Sequence, residues 1–215
     1  MFEGIAFDER GLVPCVMQDR ASGEVLMLGY MNEEALRRTI DSGEVHFFSR
    51  SRNEIWHKGE TSGNVQRLRE LRYDCDGDAL VALVEPSGPA CHTGERSCFY
   101  RELGGAAATG TDAPRADGEP RPAPHEALAA LERTLRERRA ERPPGSYTVE
   151  LLDDPPRIAT KVDEEAEEVT RAAREESERR VAEEAADLLY HLSVLLLSRG
   201  VAIAEVMEVL NARRV

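Results

Sequence analysis

The stretch Gly104–Pro124 is the feature that most restricts how this chain can fold. It reads Gly-Gly-Ala-Ala-Ala and then Pro, Asp, Thr and Arg, with no hydrophobic period and too little apolar surface to bury. We read it as a flexible linker, and a coil of about 20 residues spans roughly 25 Å on average. A chain of 215 residues can hold one large domain or two small ones. The linker at 104–124 favours two, over residues 1–103 and 125–215.

The two sides carry different periodicities. Before the linker, Leu12–Gln18 and Val25–Tyr30 read as strands joined at the Ala21-Ser22-Gly23-Glu24 turn. Asn32 is placed to cap a helix over Glu33–Ile40 that closes near Ser42-Gly43. Val45–Ser49 reads as a strand, Val65–Tyr73 alternates like a half-buried strand, and Ala79–Glu85 is apolar throughout like a buried one. This side is α+β, mostly antiparallel β with a few helices. After the linker the period is helical. One helix runs through Leu128, Leu131 and Leu135, and Pro143-Pro144-Gly145 breaks it. Further helices cover Ile158–Ala173, Arg180–Ser198 and Ala202–Arg213. Short connections imply antiparallel neighbours in an all-α bundle.

Charge excludes one class of partner. The net charge is −13. Residues 1–103 carry 12 Lys/Arg against 18 Asp/Glu, and residues 125–215 carry 14 against 20, so each side stands at −6. Neither has the basic face that binding a nucleic-acid backbone needs. The start, Met1-Phe2-Glu3-Gly4, is not a signal peptide, and no apolar run approaches a membrane span. The expectation is a cytoplasmic protein without membrane or nucleic-acid partners. In that setting Cys15, Cys75, Cys91 and Cys98 suit metal binding or catalysis better than disulfides.

Asp74-Cys75-Asp76-Gly77-Asp78, followed by Cys91-His92 and Cys98, places ligands for two metals side by side. Carboxylates suit hard cations such as Mg²⁺, and thiolates suit Zn²⁺. Three thiols with one open position form the layout of a catalytic zinc, where the pKa of a bound water falls to about 7. His92 is placed to pass the proton. From spacing alone, a structural zinc or buried unpaired thiols would serve as well. The Asp-x-Asp-x-Asp spacing also resembles the opening of a calcium-binding EF-hand loop. Ala79 stands where that loop requires Gly, however, and an apolar strand follows instead of an ion-wrapping segment. We therefore expect Mg²⁺ on Asp74, Asp76 and Asp78.

Phe48-Ser49-Arg50-Ser51-Arg52 and Trp56-His57-Lys58-Gly59-Glu60-Thr61-Ser62-Gly63-Asn64 supply cations, hydroxyls and glycine-permitted backbone approach, which suit phosphate and ribose. A polar hairpin loop would read the same. With Leu26-Met27-Leu28-Gly29-Tyr30-Met31-Asn32-Glu33-Glu34-Ala35-Leu36, Cys91-His92-Thr93-Gly94 and Ser97-Cys98-Phe99-Tyr100, these motifs resemble phosphoribosyl-AMP cyclohydrolase over most of residues 10–103. The resemblance implies hydrolytic opening of the adenine ring of phosphoribosyl-AMP in histidine biosynthesis. It implies zinc on Cys75, Cys91 and Cys98, completed across two subunits of a dimer, and Mg²⁺ on Asp74, Asp76 and Asp78. His92, His57 and Lys58 are the catalytic candidates, and Arg50, Ser51, Arg52, Thr61 and Ser62 the substrate contacts. Zinc deaminases attack the same adenine carbon. Phe48 stands where the family has Trp.

On the helical side, Glu165 and Glu168 are i, i+3, Glu164 and Glu168 are i, i+4, and Glu184 and Asp187 are i, i+3. Apolar stripes accompany them: Val162, Ala166, Val169 and Ala173, then Leu188, Leu192, Leu195 and Leu196. Antiparallel packing would bring the carboxylates together at the stripe's margin, where Mg²⁺ would clamp a triphosphate. From pattern alone a wet acidic face is the better reading, because the segment has many other Glu residues. Ser146-Tyr147-Thr148 with Leu151-Leu152, Lys161-Val162-Asp163-Glu164-Glu165-Ala166-Glu167-Glu168 and Glu184-Ala185-Ala186-Asp187-Leu188-Leu189-Tyr190-His191-Leu192 resemble phosphoribosyl-ATP pyrophosphohydrolase over about residues 125–215. The resemblance implies Mg²⁺ on Glu164, Glu165, Glu168, Glu184 and Asp187, with Lys161 on the substrate.

Together the motifs predict a bifunctional hydrolase, a homodimer or higher homo-oligomer acting on small nucleotides. The helical domain would release pyrophosphate from phosphoribosyl-ATP, and the first domain would open the ring. The rival readings are a house-cleaning nucleotide pyrophosphohydrolase and a non-catalytic zinc-stabilised dimerisation module with a helical tail.

Overall fold

The computed structural model describes residues 2–101 and 123–213, and the expected linker lies almost wholly outside them. The chain divides into two compact units, Met1–Pro122 and Ala123–Val215.

In the first unit, strand β1 (Val13–Asp19) pairs antiparallel with β2 (Val25–Met31). Val13, Cys15, Met17 and Asp19 alternate inward along β1, as period two requires. The connecting turn is held by Asp19 Oδ1, which accepts from the Ala21 amide at 2.9 Å. Helix α1 (Glu33–Ser42) starts where Asn32 Oδ1 accepts from the Ala35 amide at 2.8 Å, and ends at Gly43 with φ +69°. Strands β3 (His46–Ser49) and β4 (Glu54–His57) form a separate hairpin. In sequence, β4 does not stand out from the polar loop that precedes it. Its four residues are too few and too polar to show a period.

Strands β5 (Gln66–Tyr73) and β6 (Leu80–Pro86) complete a four-stranded sheet in the order β2-β1-β6-β5. β6 runs parallel to β1 and antiparallel to β5. The acidic stretch is therefore a hairpin loop between strands, and no helix leads into it. Phe47, Met17, Leu26, Met31, Leu36 and Leu80 are the large side chains at the centre of this core.

The second unit is helical: α2 (Ala127–Glu141), α3 (Tyr147–Leu152), α4 (Pro155–Glu175), α5 (Glu178–Ser198) and α6 (Ile203–Ala212). Asp154 caps α4, and Pro155 and Pro156 occupy its first turn, where the missing amide donors cost nothing. The Pro143-Pro144-Gly145 break is real, and α3 follows it at once, a short helix whose six residues carry no readable period. Leu135, Leu151, Ile158, Val194 and Leu197 form this unit's core. The inward line of α4 is Ile158, Glu165 and Ala172, and that of α5 includes Glu184 and His191. The expected stripe residues Val162, Ala166, Val169, Leu188, Leu192, Leu195 and Leu196 are only half-buried, and Ala173 is exposed. Glu165 and Glu184 thus lie on the buried line itself, while Glu168 is half-buried and Glu164 and Asp187 are exposed. Among the described residues, no helix is long and apolar enough to cross a membrane.

Candidate active sites

In the first unit, the β5–β6 loop is closed by the Asp74 amide donating to the Ala79 carbonyl at 3.1 Å. Gly77 at its tip has φ +77° and packs on the Gly4 carbonyl, leaving no room for a Cβ. The Ala6 amide donates to the Gly77 carbonyl at 2.8 Å. So pinned, Asp74, Asp76 and Asp78 bring one oxygen each within 4.8 Å of one another. Asp78 faces the Asp74 and Asp76 carboxylates, so its carboxyl sits above the ordinary carboxylate range. A divalent cation is the partner that relieves such crowding.

The thiols meet only in part. The loop after β6 carries Cys91 and Cys98, whose thiols interact. The Cys98 amide donates to the Leu26 carbonyl at 2.8 Å, and Ser97 Oγ to the Val25 carbonyl at 2.8 Å, fastening the loop to β2. Arg96 fastens it further by pairing with Asp19 and Glu24, a clamp that no local sequence pattern announces. Thr93 Oγ1 donates to Cys91 Sγ at 3.1 Å and pulls that thiol below its usual value, toward the thiolate. Partial loss of solvent, and then the Cys91 charge, push Cys98 up to about 11. Cys75 is exposed on the acidic loop and does not join the pair. Among the described residues, the three thiols form no cluster of the kind the carboxylates make.

Lys58 is buried beside the two thiols, and loss of solvent holds its amine below the usual lysine range while the thiols oppose that shift. Its Nζ stands 5.3 Å from the centre of the Trp56 ring. His92 is exposed with Nδ1 3.9 Å from Cys91 Sγ. His57 turns to other partners. It stacks on His46 with centroids 4.5 Å apart, and its Nε2 lies 2.8 Å from Glu44 Oε2 in an ion-pair contact poorly angled for a hydrogen bond. Arg50 lies 3.8 Å over the Tyr30 ring. Arg52 pairs with Glu54 at 3.2 Å, Ser51 Oγ lies 3.5 Å from Ser49 Oγ, and Thr61 and Ser62 are exposed.

In the second unit, Glu165, Glu168 and Glu184 bring oxygens within 4.8 Å of one another, with Glu165 and Glu184 buried. Helix spacing aligns the first two, and the α4–α5 hairpin supplies the third. Arg180 pairs with Glu184 one turn along α5. Glu164 and Asp187 are exposed and stand outside this cluster, and Glu164 pairs with Lys161 at 2.6 Å. Two buried like charges this close are unfavourable unless a cation or donor compensates them. Tyr147 and His191, to which sequence pattern gave no role, also meet here, with the Tyr147 hydroxyl 3.2 Å from His191 Nε2.

Comparison with known proteins assigns a family to each unit. The phosphoribosyl-AMP cyclohydrolase family model matches residues 27–100, and the phosphoribosyl-ATP pyrophosphohydrolase model matches residues 128–214. The histidine biosynthesis bifunctional protein HisIE of Bacillus subtilis is 47% identical, covering 97% of this chain and 94% of its own. This chain belongs to the bifunctional histidine-biosynthesis family. The HisIE protein of Halalkalibacterium halodurans is 45% identical over 98% of this chain and 96% of its own, and that of Gloeobacter violaceus 47% over 99% and 91%. The chain is thus a bifunctional hydrolase. It carries the phosphoribosyl-ATP pyrophosphohydrolase step in its helical unit and the phosphoribosyl-AMP cyclohydrolase step in its mixed unit. The cyclohydrolase family is metal-dependent, and nucleotide substrates fit the enzyme family.

Proposed function

We propose that the two steps use separate metal centres in the two units. Asp74, Asp76 and Asp78 hold Mg²⁺ in the first, and Glu165, Glu168 and Glu184 hold Mg²⁺ in the second, with Glu164 and Asp187 at its rim. Cys91 and Cys98 hold Zn²⁺, with Cys75 supplied by a second copy of the chain. The observation that carries this reading is the pair of carboxylate clusters, each gathered within 4.8 Å, with a pair of soft donors in the same unit as the first. When bound, zinc supplies an activated water, and magnesium neutralises phosphate charge.

The chain's own groups do the rest. Water adds to the adenine carbon, and the ring opens at that carbon's bond to nitrogen, with a proton delivered to the nitrogen. His92, exposed beside Cys91, moves that proton. Lys58 holds its positive charge in a dry pocket beside the thiols, where it steadies charge developing on the base. Arg50, Ser51, Arg52, Thr61 and Ser62 bind phosphate and ribose. His57 acts from its stack on His46. In the helical unit, Lys161 lies one turn before Glu165 on α4 and meets the substrate's phosphate oxygens.

The exposed position of Cys75 supports assembly between copies. So does α6, which buries no residue and exposes Met207, Val209 and Leu210. Free thiols at Cys15, Cys75, Cys91 and Cys98 fit a reducing cytoplasm. The reading is tested by separating the steps. Cys91→Ser abolishes ring opening and leaves pyrophosphate release intact, and Glu184→Gln does the reverse. If both variants keep both steps, the site assignments fall.

A further inference from the structure

Ser146-Tyr147-Thr148 at the start of α3 and Tyr190-His191 on α5 play no part in the chemistry above. The fold brings them together behind Glu165. His191 is 6% exposed, so each nitrogen of its ring needs a partner. Nδ1 faces only acceptors: the Asp187 carbonyl at 2.9 Å and Glu165 Oε1 at 3.5 Å. The ring proton therefore belongs on Nδ1, which donates to the carbonyl and leans on the carboxylate. Nε2 is then the acceptor, and the Tyr147 hydroxyl donates to it at 3.2 Å.

The ring is held from its sides as well. Tyr147 and Tyr190 both meet it edge-on, with centroids 5.9 and 5.2 Å away. Tyr190 is anchored in turn: its hydroxyl lies 2.8 Å from Thr148 Oγ1, which accepts from Arg138 at 3.2 Å. Three helices thus fix one imidazole whose inward N–H faces one of the clustered carboxylates. A carboxylate that an ordered N–H faces loses less freedom when it binds a cation.

We propose that His191, set by Tyr147, is a positioning residue that fixes the Glu165 carboxylate for cation binding and hence for pyrophosphate release. The inference rests on the cation reading of Glu165, Glu168 and Glu184.

The test titrates Mn²⁺ into the full chain by electron paramagnetic resonance, and Glu184→Gln identifies the class of sites belonging to the helical unit. His191→Leu keeps the bulk and removes both nitrogens. It is expected to weaken Mn²⁺ at that class about tenfold. It raises the Mg²⁺ concentration for half-maximal pyrophosphate release by the same factor, with kcat at saturating Mg²⁺ unchanged. His191→Asn places an amide N–H near the Nδ1 position and restores most of the affinity, while Tyr147→Phe falls between. A folded His191→Leu that binds Mn²⁺ like the wild type overturns the proposal. Should His191→Leu fail to fold, Tyr147→Phe decides it: weaker binding supports the proposal and unchanged binding overturns it. If Glu184→Gln keeps every Mn²⁺ site, the cation reading itself falls and takes the inference with it.

Discussion

Glu165→Gln should make the cation-free protein more stable and the enzyme inactive. Glu165 and Glu184 are 8% and 3% exposed, and their nearest oxygens lie within 4.8 Å. Two unit charges at that separation repel by about 3.5 kcal/mol at an effective dielectric of 20. Arg180 pairs with Glu184 and cancels part of this, so we take about 1–2 kcal/mol as the relief from removing one charge. Gln keeps the acceptor oxygen that faces His191, so packing and hydrogen bonding change little. For a unit of this size the gain corresponds to a rise of roughly 5–10 °C in Tm. The assay is calorimetry of the helical unit's transition in the full chain, with EDTA and then with Mg²⁺. Wild type should gain about 2.7 kcal/mol when Mg²⁺ stands at a hundred times its Kd. Glu165→Gln should gain far less and release pyrophosphate at least about a hundredfold more slowly. If the variant is no more stable than wild type in EDTA, or gains equally from Mg²⁺, the carboxylates do not form a strained cation site.

Other outcomes follow from particular side chains. Burial pushes Cys15 from 9.0 up to about 12, so the folded unit keeps a proton that the unfolded chain releases. That share of stability is complete below pH 9, falls as pH rises toward 12, and is on the order of 4 kcal/mol at most. Urea titrations of Cys15→Ala at pH 8 and pH 10.5 should show a flatter pH dependence than wild type, and an equal slope would refute this. Gly29→Ala would drive a Cβ into the ring of fully buried Phe47, so it should cost about 1–3 kcal/mol by denaturant unfolding, and an undiminished midpoint would refute the packing. Cys91→Ser, assayed for both steps in one preparation, should lose ring opening alone.

Much was readable without coordinates, because the signals were local. Asn32 and Gly43 bound α1 by side-chain capping and left-handed backbone, both of which depend on neighbours in sequence. The alternation in Val65–Tyr73 and the apolar run after Ala79 marked β5 and β6 and so ruled out a calcium loop. The motifs carried both families, since each is marked by residues of given types at given spacings. Strand β4 and helix α3 escaped because each is too short to show a period.

What the sequence determined alone is the longer strands and helices and the residue types able to hold cations. Tertiary structure alone decided which of those residues meet. Pairing between α4 and α5 selected Glu165, Glu168 and Glu184 and left Glu164 and Asp187 outside, because a helix turns each successive residue by a fixed angle and only one line faces inward. It put charges on that line and left the apolar stripe half-buried. It also set Cys75 apart from Cys91 and Cys98, and Tyr147 against His191 across 44 positions of chain. Contacts between residues far apart in sequence depend on packing the whole unit, and no local pattern encodes them.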